Sequence, residues 1–333
     1  WQGKRVRCRA LVFGASMTGF PGIRPPDPKD LLRVRDRLTF LYIERCVVHR
    51  DSNAITVTDR RGVAHIPAAA LSVLMIGPGV RITHSAVSLL AESGATAVWV
   101  GENGVRYYAH GVPPSRSSRL LEAQARAVSD PRARLSVARQ MYLKRFHGEN
   151  VADLSMQQLR GREGARVRRI YRENSSRTGV EWDGRDYDPD NFESGSVVNR
   201  CLSAANSAMY GIIHAVVVAL GCSPGLGFIH TGNYRSFIYD IADLYKADLS
   251  IPVAFDVAAQ QLDTGVGEET RRRMRNAIRE ARILERSVAD IKELLAPMML
   301  EDSEQDEELA VADLRLWDDQ GSPVLAGVSY EEH

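Results

Sequence analysis

The chain has 333 residues, 44% of them apolar and 26% charged, which is ordinary for a soluble protein and long enough for two domains with buried cores. Its net charge of +1 conceals an uneven distribution, because the residues from Glu301 onward include eleven acids and one base. The first 300 residues therefore hold 42 Lys and Arg against 31 acids. Such a basic region suits a polyanionic partner. The four cysteines show no zinc-binding spacing, so we expect no disulfide, no zinc site and a cytoplasmic protein.

The first sixteen residues hold four basic residues, no acid and no periodicity, and Met17 follows them. We therefore expect residues 1–16 to be disordered or foreign to the native protein. The apolar run from Ala10 to Gly14 is too short for a signal-peptide core, so no targeting signal is predicted.

From residue 37 to about residue 110 the sequence is typical of strands. β-branched and aromatic runs alternate with Asp, Gly and Asn turns, and one short helix is predicted from Thr83 to Ser93. Residues 17–112 are therefore predicted to form a β-rich N-terminal domain. Arg81 and Arg106 each follow a tight glycine turn, where an arginine is either a solvated charge or a contact to a polyanion.

Residues 113–118 are the predicted linker, because prolines and serines replace the apolar pattern there. Helical periodicity follows, so residues 119–300 are predicted to form an all-α domain and the fold class is α+β. Its segments include Met156 to Arg172, Val197 to Leu220 and Glu268 to Leu295. The second of these is interrupted by polar residues and falls short of the ~20 apolar residues that cross a bilayer, so it is a predicted core helix and no membrane is expected. His214 within it is interpreted as a core histidine.

The stretch from Gly227 to Asp243 places His230 on a glycine-bounded turn just before an amphipathic helix. Asp240 and Asp243 lie on one face of that helix. Burying two carboxylate ions beside apolar positions costs on the order of several kcal/mol unless a cation compensates, and a divalent metal shared with His230 would do so. The alternative is a solvated pair of aspartates and a core histidine, since the spacing matches no structural-metal pattern.

A second stretch surrounds Glu163 with arginines. The eighteen residues from Arg160 to Arg177 contain seven arginines and only two acids, which is typical of a phosphate-binding face. Arg160, Arg162 and Arg166 are the candidates for holding a nucleic-acid backbone. Ordinary surface charge is the alternative for each of them.

Three motifs occur in a fixed order: LRGxEGxRVR around Glu163, GFxHTG around His230 and SFxYDIAD ending at Asp243. Together they resemble the CRISPR-associated adaptation integrases of the Cas-one family, in the version found with type I-E systems. The resemblance extends from about Asp36 to about Ala259. It implies that Glu163, His230 and Asp243 bind a divalent cation, with Asp240 beside them. It also favours contacts with DNA by Arg81 and Arg106.

The same resemblance implies an enzyme that inserts spacer DNA into the CRISPR array, with the spacer 3′-hydroxyl attacking the repeat phosphodiester. Its implied substrates are double-stranded DNA, namely the spacer precursor and the CRISPR repeat. The implied assembly is a homodimer that forms a hetero-oligomer with a second protein, Cas-two. Two carboxylates and one imidazole suit Mg²⁺ or Mn²⁺, and a metal that neutralises the charge of the transition state makes a protein nucleophile unnecessary.

Two positions depart from the family pattern. Ser196 follows Gly195 where relatives have aspartate, and Asn233 follows the HTG motif where the family is associated with lysine. Tyr234 and Arg235 are the candidates to replace the phosphate contact of that lysine.

Three other functional classes stay open. A metal-dependent nuclease would use the same residues with water as the nucleophile, and is ranked second. A non-catalytic nucleic-acid-binding protein explains the basic charge but not the Glu, His and Asp constellation. A structural-metal protein would unfold on chelation.

Residues 301–333 form an acidic C-terminal tail whose charge is interrupted by Leu309, Leu314 and Trp317. Apolar anchors in an acidic segment favour docking on a basic partner. A disordered, solubilising tail is the alternative.

Overall fold

The structure is a computed structural model. It describes residues 11–13, 40–104, 106–111, 118–146, 151, 153–186, 195–262, 264–299, 315–316 and 324–325. The chain divides into two units, Trp1–Met298 and Met299–His333. All the candidate site residues belong to the first.

The first unit contains nine strands and nine helices among the described residues. The strands are β1 (Leu11–Phe13), β2 (Phe40–Ile43), β3 (Val47–Asp51), β4 (Ala54–Asp59), β5 (Gly62–Pro67), β6 (Val73–Ile76), β7 (Arg81–Ile82), β8 (Thr96–Val100) and β9 (Tyr107–Gly111). The helices are α1 (His84–Glu92), α2 (Arg119–Ser129), α3 (Pro131–Arg145), α4 (Met156–Thr178), α5 (Val197–Ala219), α6 (Ser236–Tyr245), α7 (Ile251–Ala258), α8 (Val266–Glu280) and α9 (Ile283–Leu295). A π-helical turn, Lys246–Ser250, joins α6 to α7.

In the second unit the described residues form a short antiparallel pair, β10 (Arg315–Leu316) and β11 (Val324–Leu325). The rest of the acidic tail lies outside the described residues. Its docking on a partner therefore stays a prediction.

The strands of the first unit form two sheets. The first has the order β1-β2-β6-β8-β9, in which β2, β6 and β8 run parallel, and the second has the order β5-β4-β3-β7. Apolar side chains of both sheets and of α1, among them Ile43, Val48, Leu74 and Leu90, share one core. Strands before residue 112 and a mainly helical part after residue 118 confirm the α+β class. The linker falls outside the described residues apart from Ser118, so the domain boundaries stay predictions.

Three residues of the predicted N-terminal extension fall within the described residues. Leu11–Phe13 form the edge strand β1 and pair antiparallel with β2, Leu11 opposite Tyr42 and Phe13 opposite Phe40. That residues 1–16 are disordered or foreign to the native protein stays a prediction. Their short apolar run has a strand partner that only the fold reveals, and the rest of residues 1–16 lies outside the described residues.

Helix α5 is the centre of the helical part. In the part of the chain that the structure describes, α5 alone is long and apolar enough to cross a membrane, yet 78% of its apolar window is buried within the protein. Helices α6, α7, α8 and α9 all pack against it. The prediction of a core helix is therefore confirmed.

Helix α4 carries the arginine-rich motif and is held at both ends. Ser155 and Gln158 form a capping box at its start, and Gly179 ends it in the left-handed conformation with φ 72°. The helix therefore continues beyond Arg172, where its end was predicted, to Thr178.

The prediction of one helix from Glu268 to Leu295 is wrong. The chain breaks between α8 and α9, where Arg282 adopts a left-handed φ of 51°. Every residue at the break is a good helix former, so its position is set by the packing of the two helices and not by propensity.

His214 on α5 is buried, as predicted, and its ring stacks on Tyr107 of β9 with centroids 3.5 Å apart. Burial, with the charges of Arg235 and His110, lowers the pKa of His214 from 6.5 to about 4. Between these values the unfolded histidine binds a proton and the folded one does not, so stability falls as the pH falls through this window.

We expect the free energy of unfolding to fall by about 3 kcal/mol near pH 4 because of His214. His214→Phe keeps an aromatic ring against Tyr107 but cannot titrate, so its melting temperature should fall less between pH 7 and pH 4.5 than that of the wild type. Parallel thermal-melt curves in that range would show no difference if the histidine does not carry the effect.

Candidate active site

The loop between α5 and α6 carries His230 and packs tightly against the start of α6. Gly227 has no room for a side chain, because a Cβ there would lie 2.5 Å from the carbonyl oxygen of His230 and 2.8 Å from Ser236. Gly232 has a left-handed φ of 78°, which glycine adopts without strain. The two glycines of the GFxHTG motif are therefore needed to bring the histidine back onto α6.

Asp240 on α6 holds this loop. Its carboxylate is completely buried and accepts the N–H groups of Phe228, Ile229 and His230 at 2.5, 3.1 and 2.9 Å. The Nδ1 atom of the His230 ring lies 2.7 Å from the same carboxylate. Both oxygens of Asp240 therefore accept hydrogen bonds from the loop that carries His230, and its role as a metal ligand stays a prediction.

The imidazole of His230 is 42% exposed, in contrast to its buried partner. The hydrogen bond to Asp240 raises the pKa of His230 above its ordinary value, and burial opposes that rise. With Nδ1 turned to Asp240, Nε2 is the atom that the ring presents to solvent or to a ligand.

Glu163 on α4 is held by two side chains of α3. The hydroxyl of Tyr142 donates to one carboxylate oxygen at 2.6 Å, and Arg145 donates to the other at 2.5 Å. The carboxylate of Glu163 is therefore held against α3, and its side chain is 21% exposed.

Asp243 lies one turn after Asp240 on α6 and pairs with Lys246 at 2.6 Å. Burial works to raise the pKa of Asp243, but the charges of Lys246 and Arg145 outweigh burial and lower it. The carboxylate is therefore ionised at neutral pH. Lys246 also donates to the hydroxyl of Tyr210 at 2.6 Å.

Arg145 acts on two of the three candidate ligands, Glu163 and Asp243. It bonds to Glu163, and its charge, together with that of His230, lowers the pKa of Asp243. Its side chain is only 7% exposed, and its buried Nε has no hydrogen-bond partner. Arg145 thus pairs with Glu163 from α4 and acts on Asp243 from α6, and the charge of His230 also acts on Asp243.

The donor set suits a hard divalent cation, because it offers two carboxylates and an imidazole with its Nε2 available. Among the described residues, no group of three or more His, Cys, Asp or Glu side chains is already arranged to hold a metal. Glu163 and Asp243 instead use Arg145 and Lys246 as their cationic partners. The residues fit such an ion if the two carboxylates exchange these partners for it.

The arginines of α4 line an open, shallow groove formed by Arg162, Arg166, Arg169 and Arg172. The guanidinium of Arg166 lies 4.5 Å from the ring centroid of Phe146. Arg160 is exposed near the start of the helix. This arrangement presents a row of positive charge on the helix that carries Glu163, as a phosphate backbone requires.

The remaining predicted arginines lie elsewhere on the molecule. Arg81 is exposed on β7, and Arg106 is exposed just before β9. Arg235 is half-buried at the start of α6 and stacks on Tyr234, 4.8 Å from the ring centroid. The structure places Arg235 near the loop of His230, whereas Arg81 and Arg106 belong to the N-terminal sheets.

A family model described as CRISPR associated protein Cas1 matches residues 40–153 and 142–265. The chain belongs to the Cas1 family. The match includes Glu163, His230, Asp240 and Asp243, and it agrees with the resemblance inferred from the three motifs.

Curated Cas1 relatives match nearly the whole chain. The CRISPR-associated endonuclease Cas1 of Clostridium sp. (strain SY8519) is 46% identical over 299 residues, covering 90% of this chain and 97% of the relative. The CRISPR-associated endonuclease Cas1 2 of Thermus thermophilus is 46% identical over 303 residues, covering 91% and 93%. The crystal structure of a TtCas1–DNA complex is 48% identical, covers 79% of this chain and 98% of that one, and superposes with a TM-score of 0.74.

The two departures from the expected Cas1 pattern have local structural roles. Ser196 precedes the first residue of α5, and its hydroxyl accepts a bond from Asn199 at 3.1 Å. Asn233 turns its side-chain oxygen back onto the backbone N–H of Arg235 at 2.9 Å. Neither residue therefore supplies the charge that aspartate or lysine would bring to the site.

Sequence reasoning missed three residues of the Cas1 site: Tyr142, Arg145 and Lys246. Lys246 could have been found, because it follows Asp243 by three residues and so shares its face of the helix. Tyr142 and Arg145 carry no such signal. Their contact with Glu163 depends on the packing of α3 against α4, which no local pattern in the sequence predicts.

Proposed function

We propose that this Cas1 protein is a divalent-metal-dependent DNA integrase and endonuclease of CRISPR adaptation, in the version associated with type I-E systems. The observation that carries the proposal is that the buried Arg145 pairs with Glu163 and acts on Asp243, which the charge of His230 also affects, while helix α4 of Glu163 carries a groove of arginines. We further propose that Mg²⁺ or Mn²⁺ is the metal and that the protein works in the cytoplasm.

Each protein group has a separate task in this mechanism. Glu163, Asp243 and Nε2 of His230 would hold the ion, which when bound neutralises charge on the phosphate and orients the attacking hydroxyl. Asp240 keeps His230 in the tautomer that presents Nε2. Arg160, Arg162 and Arg166 hold the DNA backbone so that one phosphodiester lies against the acids.

Double-stranded DNA is the proposed substrate, both as spacer precursor and as CRISPR repeat. The basic body of the chain and the relative solved as a TtCas1–DNA complex support this. A homodimer bound to a Cas-two-like protein is the proposed assembly, which the family resemblance favours. Contacts of Arg81, Arg106 and Arg235 with DNA are part of the same proposal.

A hydrolytic nuclease is the second candidate, and the name endonuclease carried by the curated relatives favours it. Purified protein incubated with a Cas-two-like partner, a duplex with free 3′ ends, Mn²⁺ and a supercoiled CRISPR plasmid separates the two. Integration gives labelled duplex covalently joined to plasmid. Free ends without joined strands would instead support hydrolysis.

The salt dependence of DNA binding tests the arginine groove. Each phosphate contact contributes about −0.9 to the slope of log affinity against log salt, so Arg162→Ala should make the slope shallower by about one unit. Arg279→Ala, which removes an exposed arginine at the end of α8, is the control and should leave the slope unchanged. Equal slopes for both variants would mean that Arg162 does not contact phosphate.

A further inference from the structure

The loop that carries His230 has no strand or helix of its own between the end of α5 and the start of α6. A catalytic side chain on such a loop is only as well placed as the backbone beneath it. Asp240 binds the N–H groups of residues 228–230, but it offers nothing to the carbonyl groups of the loop. Two side chains from outside the predicted motifs bind those carbonyls.

Gln124 of α2 is the first. It is completely buried, and its Nε2 donates to the carbonyl oxygens of Ser223 and Leu226, both at 2.9 Å. Its Oε1 accepts the N–H of Ser223 at 2.8 Å. Both donor hydrogens of this amide, and its oxygen, are thus used on one loop almost a hundred residues away.

Arg134 of α3 is the second. Its Nε donates to the carbonyl oxygen of Phe228 at 2.9 Å, and its Nη2 donates to that of Gly227 at 3.1 Å. Phe228 is therefore held from both sides, with its N–H on Asp240 and its carbonyl on Arg134. Both residues bonded by Arg134 lie within three positions of His230.

The same helix that holds the loop also holds Glu163. Tyr142 and Arg145, which bond Glu163, lie two and three turns after Arg134 on α3. Ile229 packs against the apolar cluster that contains Tyr142. Helix α3 thus fixes the spacing between the two sides of the site.

We propose that Gln124 and Arg134 are positioning residues of this Cas1 protein, which hold the carbonyl side of the loop so that His230 faces Glu163 and Asp243. The inference rests on the proposed function for its catalytic consequence. Its structural part, that these two side chains immobilise residues 223–230, is independent of any activity.

The test compares three variants of Arg134 and Gln124 with a matched control. Arg134→Gln removes both bonds to the loop, Arg134→Lys keeps a cation that can reach one carbonyl, and Gln124→Met removes the amide at similar volume. Arg139→Gln is the control, because Arg139 is also half-buried on α3 and binds a backbone carbonyl, that of Leu154 at 3.0 and 2.8 Å.

Integration turnover at saturating Mn²⁺, KM for DNA, melting temperature and hydrogen exchange of the 223–230 amides are measured for each protein. Arg134→Gln and Gln124→Met should lower turnover by about 10- to 100-fold with DNA KM unchanged, as expected when a supporting contact of a catalytic residue is lost. Exchange of the 223–230 amides should rise about tenfold or more, since their opening becomes easier. Arg134→Lys should recover part of the lost turnover and part of the lost protection from exchange. Arg139→Gln should lose about as much stability as Arg134→Gln, with turnover and exchange of the 223–230 amides unchanged.

Unchanged exchange in both Arg134→Gln and Gln124→Met would overturn the proposal, as would wild-type turnover in these variants. If Arg134→Gln does not fold, Arg134→Lys and Gln124→Met provide the same test. A wild-type protein that joins no DNA would defeat the proposed function alone, and the exchange measurements would still decide whether the two side chains hold the loop.

Discussion

Glu163→Gln, His230→Ala and Asp243→Asn should each abolish DNA strand transfer while leaving duplex binding close to that of the wild type. The three residues come from α4, a loop and α6, so loss of one removes a ligand that no neighbour in the site can replace. We expect activity to fall by about a hundredfold or more. Binding should persist, because neutralising an acid beside phosphate does not weaken electrostatic attraction to DNA.

A gel-based integration assay with a parallel DNA-binding titration checks this expectation. Glu173→Gln is the control, because Glu173 is an exposed acid on the same helix as Glu163 and pairs with Arg169 at the surface. It should retain full activity. Wild-type integration by Glu163→Gln or Asp243→Asn would remove that residue from the proposed site.

Asp240→Asn should strongly lower both stability and activity, which differs from the mild effect that the sequence indicates. Sequence alone places Asp240 as a neighbour of the ligand, where loss should be mild and partly restored by raised Mn²⁺. In the structure the buried carboxylate of Asp240 accepts four hydrogen bonds from the loop of His230. The side-chain NH₂ group of an asparagine would instead face N–H donors of the loop and could not accept their hydrogen bonds. We expect a loss of about 3 kcal/mol and little recovery with Mn²⁺.

Chemical denaturation and Mn²⁺-dependence of integration measure this effect. Asp256→Asn is the control, since Asp256 pairs with Arg177 in a solvent-exposed ion pair whose loss should cost less than about 1 kcal/mol. An Asp240→Asn protein of wild-type stability that recovers activity in Mn²⁺ would show that the loop does not depend on this carboxylate.

The motifs around Glu163, His230 and Asp243 were visible in the sequence because each is a local pattern: arginines crowd around Glu163, glycines flank His230, and apolar residues recur at helical spacing before Asp243. The core helix α5 was visible for the same reason. Arg134, Gln124 and Arg145 were not visible, because they act on residues far along the chain and no local pattern in α2 or α3 indicates those contacts. The break at Arg282 and the strand Leu11–Phe13 likewise depend on partners that only packing supplies.

The central claim is that Glu163, His230 and Asp243 share one divalent ion, and it is tested most directly by anomalous diffraction from crystals soaked in Mn²⁺. A single peak about 2.0–2.2 Å from a carboxylate oxygen of Glu163, Nε2 of His230 and a carboxylate oxygen of Asp243 is expected. Arg145 and Lys246 should then have released these two acids. Crystals that bind Mn²⁺ elsewhere, with Glu163 still on Arg145 and Asp243 still on Lys246, would contradict the account.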